Sequence, residues 1–173
     1  MKRSTHLLMG MAAAVPVAVG LPAAGAVGAL WFGMAGGALP DYLDLRSEAR
    51  RALRHRGVSH SLLVVVAMTV FAAVVLGALD AAEARLLPVP PRYVRPWSLA
   101  LALGMLSHLL GDACTVAGIQ PWLPFSRRRV WVLPRVLRGR SDGWLNGVAG
   151  VVSILLLGAG IGLHIVSRYG ATP

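Results

Sequence analysis

The chain has 173 residues, is 56% hydrophobic and only 14% charged, and carries a formal net charge of +10 with a mean hydropathy of +0.66. Soluble domains run near 25% charged and need a polar face throughout. Leu7 to Pro40 contains no Asp, Glu, Lys or Arg, which excludes a soluble helix bundle.

Taken in chain order, Lys2, Arg3, Thr5 and His6 precede the first apolar block, Leu7–Leu39. As one helix it would be about 50 Å long, too long for one crossing of a hydrocarbon core of about 30 Å. Pro22, between Gly20 and Gly25, offers a break, so two helices are expected near 7–20 and 24–39. Ala24-Gly25-Ala26 has the look of a signal-cleavage site. A further apolar stretch follows at once, and the chain is expected to keep its N-terminus. Pro40 marks the exit from the second helix, and Asp41 and Asp44 follow at i, i+3.

An arginine-rich stretch leads to "HRGVSH", residues 55–60, and then to an apolar block ending at Asp80. Further spans are expected near 61–79, 97–117 and 143–167. The whole chain reads as one all-α, polytopic membrane domain of five spans, or four if residues 7–39 form only one. With the N-terminus inside, thirteen of the seventeen Lys and Arg residues fall in inner segments: 1–6, 40–60 and 118–142. That asymmetry sets the orientation by the positive-inside rule. It also accounts for the net charge without nucleic acid, because the arginines sit in short loops between apolar runs. The expected location is the bacterial cytoplasmic (inner) membrane.

This topology gathers His6, His55, His60, His108, Asp41, Asp44 and Asp112 on one side, leaving His164 near the outer end of the last span. In "SHLLGDACT", residues 107–115, His108 and Asp112 stand at i, i+4 on one helix face, with Thr115 and Gly104 on the same stripe. A carboxylate inside a span costs about 2.5–3.5 kcal/mol on insertion scales, so Asp112 needs a partner. A helical histidine with a carboxylate one turn on can chelate a divalent ion. A neutral His108 hydrogen-bonded to Asp112 between helices is the structural alternative. Histidine and carboxylate donors suit zinc or manganese and leave magnesium open. Arg56 could clamp a phosphate, Arg127 and Arg128 could steer an anionic head group, and Ser61 is a candidate nucleophile or substrate contact.

"TH" at 5–6, "PDYLD" at 40–44, "HRGVSHSLL" at 55–63, "HLLGDACTVAG" at 108–118 and "PFSRR" at 124–128 resemble, in order and spacing, the motifs of the YdjM-like family of predicted membrane-bound metal-dependent hydrolases. The resemblance implies metal-ligand roles for His55, His60, His108 and Asp112, with Asp41 and Asp44 at the site and His6 joining them. Ser59 stands where threonine is common, and the last helix carries no motif.

The expected function is therefore hydrolysis of a phosphoester or other ester of an anionic lipid or lipid-linked molecule. The metal would be held by His55, His60, His108, Asp112 and His6. Asp41 or Asp44 would hold a second ion, orient the ligands or act as base. Arg56, Ser61, Thr115, Arg127 and Arg128 would face the substrate. A metal or proton transporter is disfavoured, since the outer halves of the spans are almost wholly Ala, Val, Leu and Gly. A lipid-binding adaptor would leave His108 and Asp112 without a purpose.

Overall fold

The computed structural model describes residues 1–45, 57–82, 90–140 and 142–170. Among them are six α-helices: α1 (Arg3–Ala13), α2 (Val15–Val19), α3 (Ala23–Leu45), α4 (Leu62–Ala81), α5 (Pro91–Ala113) and α6 (Leu145–Tyr169). Short 3₁₀ turns occupy Val58–His60 and Arg135–Leu137. The described residues hold no β-strand, only two isolated bridges in the loop after α5. The fold is all-α, and among the described residues three helices are long and apolar enough to cross a membrane: Ala23–Asp44, Leu62–Ala81 and Leu145–Arg168.

The first apolar block breaks earlier than expected as well as near Pro22. Pro16 has no N–H to return to the Ala12 carbonyl. The chain tightens at Ala14, whose N–H reaches Met11 instead (3.2 Å), before α2 begins. A second break at Gly20–Pro22 reverses the chain into α3. Pro40, expected to end the second helix, instead lies inside α3, which continues to Leu45. Packing against α1 and α5 lets the helix tolerate the missing hydrogen bond, as neighbours do for prolines in membrane helices.

α3 and α5 form the central pair and run parallel, with Gly25 against Tyr93 at one end and Gly37 against His108 at the other. α1 runs antiparallel to α3, with Gly10 against Gly33. The contact is close because nothing larger than hydrogen separates the backbones. A Cβ on Gly33 would lie 2.6 Å from the Gly10 carbonyl oxygen, and one on Gly104 would lie 3.0 Å from the Gly33 carbonyl carbon. Such small-residue seams are the usual way membrane helices approach, since lipid supplies no hydrophobic drive between them. α4 and α6 flank this core. α6 is fastened at Asn146, whose side-chain oxygen accepts from the Lys2 N–H (2.8 Å) and the Thr5 hydroxyl (3.1 Å).

Two cores result. Ala14, Ala18, Ala26, Ala29 and Ala100 pack beneath Phe32 and Trp97 at one end. Val65, Met105, Leu109, Ala113 and Ile119 pack near the other. The start of α1, the end of α3, the start of α4 and the end of α5 meet at that second end, and the polar residues collect there.

Candidate metal centre

Each helix delivers its polar residue by register. His6 lies on the first turn of α1, Asp41 and Asp44 on the last turns of α3, and His108 and Asp112 one turn apart near the end of α5. His60 closes the 3₁₀ turn before α4, and Ser61 caps α4 by accepting the Val64 N–H (3.3 Å). His6, His60, His108, Asp112 and Asp44 are all buried. Asp41 alone among these side chains reaches 18% exposure.

The hydrogen bonds around the two central imidazoles fix where their lone pairs point. His108 Nδ1 lies 2.7 Å from the Gly37 carbonyl oxygen, which can only accept. Nδ1 therefore carries the proton, and Nε2 presents a lone pair. Ser59 donates its hydroxyl to Asp44 Oδ1, and His60 Nδ1 lies 2.9 Å from the same Ser59 oxygen and 3.5 Å from Asp44 Oδ2. With the Ser59 proton committed to Asp44, His60 Nδ1 donates to Ser59, and its Nε2 points to the Nε2 of His108. These are the backbone and carboxylate partners that orient metal-ligating histidines.

The two Nε2 atoms face each other at 3.1 Å. Asp112 Oδ2 lies 3.6 Å from His60 Nε2 and 3.8 Å from His108 Nε2, and Asp41 Oδ1 lies 3.7 Å from both. The four atoms form a cage of two nitrogens and two oxygens. Ligands about 2.0–2.1 Å from a tetrahedral ion stand about 3.3 Å apart. The separations between the two nitrogens and from each nitrogen to each oxygen are of that order, and lone pairs this close repel unless a cation or proton lies between them. His60, His108 and Asp112 form one three-donor set able to hold a divalent ion, and His6, Asp41 and His108 form a second that shares His108.

His6 adjoins the cage. Its ring stacks on His108 at a centroid distance of 3.7 Å, and its Nε2 lies 3.2 Å from Asp112 Oδ1. Its Nδ1 is buried with no hydrogen-bond partner. The Met1 amino group also donates to Asp112 Oδ1, at 2.9 Å.

The remaining candidates separate. Asp41, expected as a catalytic carboxylate, lies within donor distance of both cage nitrogens. Thr115 falls beyond the end of α5, not on its face, and gives its hydroxyl to the Asp112 carbonyl (2.8 Å). Ser61 serves as a helix cap. Arg127 and Arg128 are exposed in the loop after α5. His55 and Arg56 lie outside the described residues. His164 sits far from the cluster, its Nδ1 3.4 Å from the Val19 carbonyl oxygen.

Sequence reasoning missed two partners. Ser59 bridges Asp44 and His60, and its only signal was its place inside the histidine pair. The Gly37 carbonyl fixes the His108 tautomer. The Gly33–Gly37 spacing, a small-xxx-small pattern, could have marked that face of α3 as a close contact.

The chain matches the model of the family described as YdjM inner membrane protein over residues 1–170, and it belongs to that family. No curated protein and no solved structure gives a match to the chain.

Proposed function

We propose that this member of the YdjM inner membrane protein family is a metal-dependent hydrolase acting on a phosphoester or other ester of an anionic lipid or lipid-linked molecule. One observation carries the reading: the Nε2 atoms of two buried imidazoles lie 3.1 Å apart with a carboxylate oxygen of Asp112 and one of Asp41 within 3.8 Å of both. His60, His108 and Asp112 would hold the ion, zinc or manganese before magnesium because two of the three donors are imidazoles. His6 stands as a further donor, and His55 joins them on the strength of the motif. When bound, such an ion supplies Lewis acidity to a phosphoryl or carbonyl oxygen and lowers the pKa of water toward about 7.

The chain's own groups divide the other tasks. Asp44 and Ser59 hold the His60 ring, and the Gly37 carbonyl holds His108. Asp41, the cage member that solvent reaches, accepts the proton of the attacking water. Arg56, Arg127 and Arg128 attract the anionic head group, for which Ser61 and Thr115 shape the floor. The proposed topology has five crossings, and the course of the helices supports it: α1 with α2 leads away from the cluster, α3 returns, α4 leaves, α5 returns and α6 leaves. With the N-terminus inside, the centre opens on the cytoplasmic face of a bacterial inner membrane.

Metal content measured by mass spectrometry on the detergent-purified chain tests the reading. The wild type should carry metal near stoichiometry, and His60→Ala and His108→Ala should lose it. Asp41→Asn should retain most of the metal yet lose about 10²-fold or more of phosphate release from lipid phosphates. A wild type that stays empty after incubation with zinc and manganese overturns the proposal.

A further inference from the structure

Residues 114–140 join α5 to α6 and contain Arg127, Arg128, Arg129, Arg135, Arg138 and Arg140 with no acidic residue. The same segment exposes large apolar side chains, Phe125 at 84% and Val136 at 90%, with Trp122, Val132 and Leu137 also exposed. Water alone does not favour that combination, and exposed apolar groups clustered with cations mark an interaction surface.

The segment is a built frame. Ile119 and Val130 exchange backbone hydrogen bonds (3.2 and 2.8 Å), and the Val116 N–H reaches the Gly139 carbonyl (3.0 Å). The Arg138 guanidinium lies 4.6 Å from the centre of the Trp131 ring, whose Nε1 donates to the Val116 carbonyl (3.1 Å). Gly118 turns the chain at φ +63°, where a Cβ would strike that ring. The frame thus holds the apolar tips outward.

It is seated across helix ends. The Leu62 N–H at the start of α4 donates to the Pro121 carbonyl (2.9 Å), and the Val132 N–H donates to the Ala113 carbonyl at the end of α5 (3.1 Å). Gly139 packs against Leu145 at the start of α6. α4 and α6 are long and apolar enough to span, so their starts lie at head-group depth. Tryptophan favours that depth, and arginine there gains about 1 kcal/mol per residue from anionic lipid.

We propose that residues 114–140 form an interfacial platform docked on an anionic leaflet, with Phe125 and Val136 in the acyl boundary and the arginines on lipid phosphates. A nucleic-acid surface would share the arginines but has no use for the aliphatic tips. No cage residue belongs to the platform, and although Thr115, Arg127 and Arg128 also face the head group in the proposed function, lipid quenching reads the platform and metal content reads the centre, so either can fail alone.

Because Cys114 is the sole cysteine, Cys114→Ser/Phe125→Cys and Cys114→Ser/Val136→Cys can each carry one environment-sensitive fluorophore in the full chain. The chain is reconstituted in phosphatidylcholine vesicles with and without phosphatidylglycerol. Quenching by lipid-borne nitroxide should exceed quenching by aqueous iodide at both positions, and more so with phosphatidylglycerol. Adding Arg127→Gln and Arg128→Gln should shift the docked ratio by roughly fivefold per arginine. Should the labelled variants fail to purify as folded protein, the difference in brominated-lipid quenching between wild type and Trp122→Phe reads the same docking. Iodide access with silent nitroxide overturns the platform. Equal lipid quenching without phosphatidylglycerol overturns the anionic assignment, and a response to added duplex DNA in its place overturns the choice of partner.

Discussion

α3 and α5 form the inner pair of the molecule, and α4 and α6 the outer pair. The outer helices are the most apolar in the chain and expose rows of valine and leucine, among them Val66, Val70 and Val74 on α4. They contribute no donor to the candidate metal centre. The inner helices carry Asp41, Asp44, His108 and Asp112, and α5 is not among the three helices apolar enough to be counted as spans on composition. Chemistry dilutes hydropathy: the two helices easiest to recognise as membrane spans carry none of the candidate donors, and the one hardest to recognise carries His108 and Asp112.

Glycine substitutions should break this comparison with the largest effect. Gly104 on α5 has the Gly33 carbonyl carbon and the Gly37 nitrogen each 3.0 Å from where a Cβ would stand, and both are backbone atoms that cannot step aside. Gly104→Ala is expected to cost about 3 kcal/mol, the upper end for overpacking, and to displace His108 one turn later. Gly158 on α6 has nothing within 4 Å of that position. Gly158→Ala should change stability by no more than about 1 kcal/mol, the difference in helix propensity. Thermal unfolding in detergent compares the two, and equal losses would refute the inner–outer distinction.

The next contrast is between histidines. His108→Ala removes a cage nitrogen and should empty the site, whereas His164→Ala, at the other end of the bundle, should leave metal content unchanged. Loss of metal in both variants would mean that the content reflects adventitious binding. Ser59→Ala should fall between them. It removes the bridge from Asp44 to His60 but no ligand, and losses of about 10–100-fold in metal affinity are typical for such partners. A competition titration against a chelator resolves that range.

The same physics decides how much could be read in advance. Apolar runs placed the expected segments within two residues of the ends of α4 and α6, where little competes with hydropathy. They misjudged Pro40, where packing on α1 and α5 carries the helix through, and the end of α5, where Ala113 gives way to a bonded loop that takes Thr115 off the helix face. Charge asymmetry brought His6, His60, His108, Asp41, Asp44 and Asp112 to one end, and they meet there. The division of labour among them was not legible. It depends on which nitrogen of each imidazole is tied up by Gly37 or Ser59, and so on contacts 71 residues apart for one and adjacent for the other.

The smallest expected effect lies at the end of the inner pair far from the cage. Trp97 on α5 donates its Nε1–H to the Gly25 carbonyl on α3 (2.9 Å) while its ring stacks between Phe32 and Tyr93. Trp97→Phe keeps the stack and drops the hydrogen bond, which costs about 1 kcal/mol. The Gly25 carbonyl lies in the first turn of α3, so it keeps a helical acceptor role and loses only its second partner. The metal centre lies at the opposite ends of the same two helices, and a rigid α3–α5 pair would pass little of that change along. Metal affinity should therefore stay within about twofold while stability falls. A parallel fall in both would mean that the inner pair works as one coupled unit, with the far core helping to set the geometry of the cage.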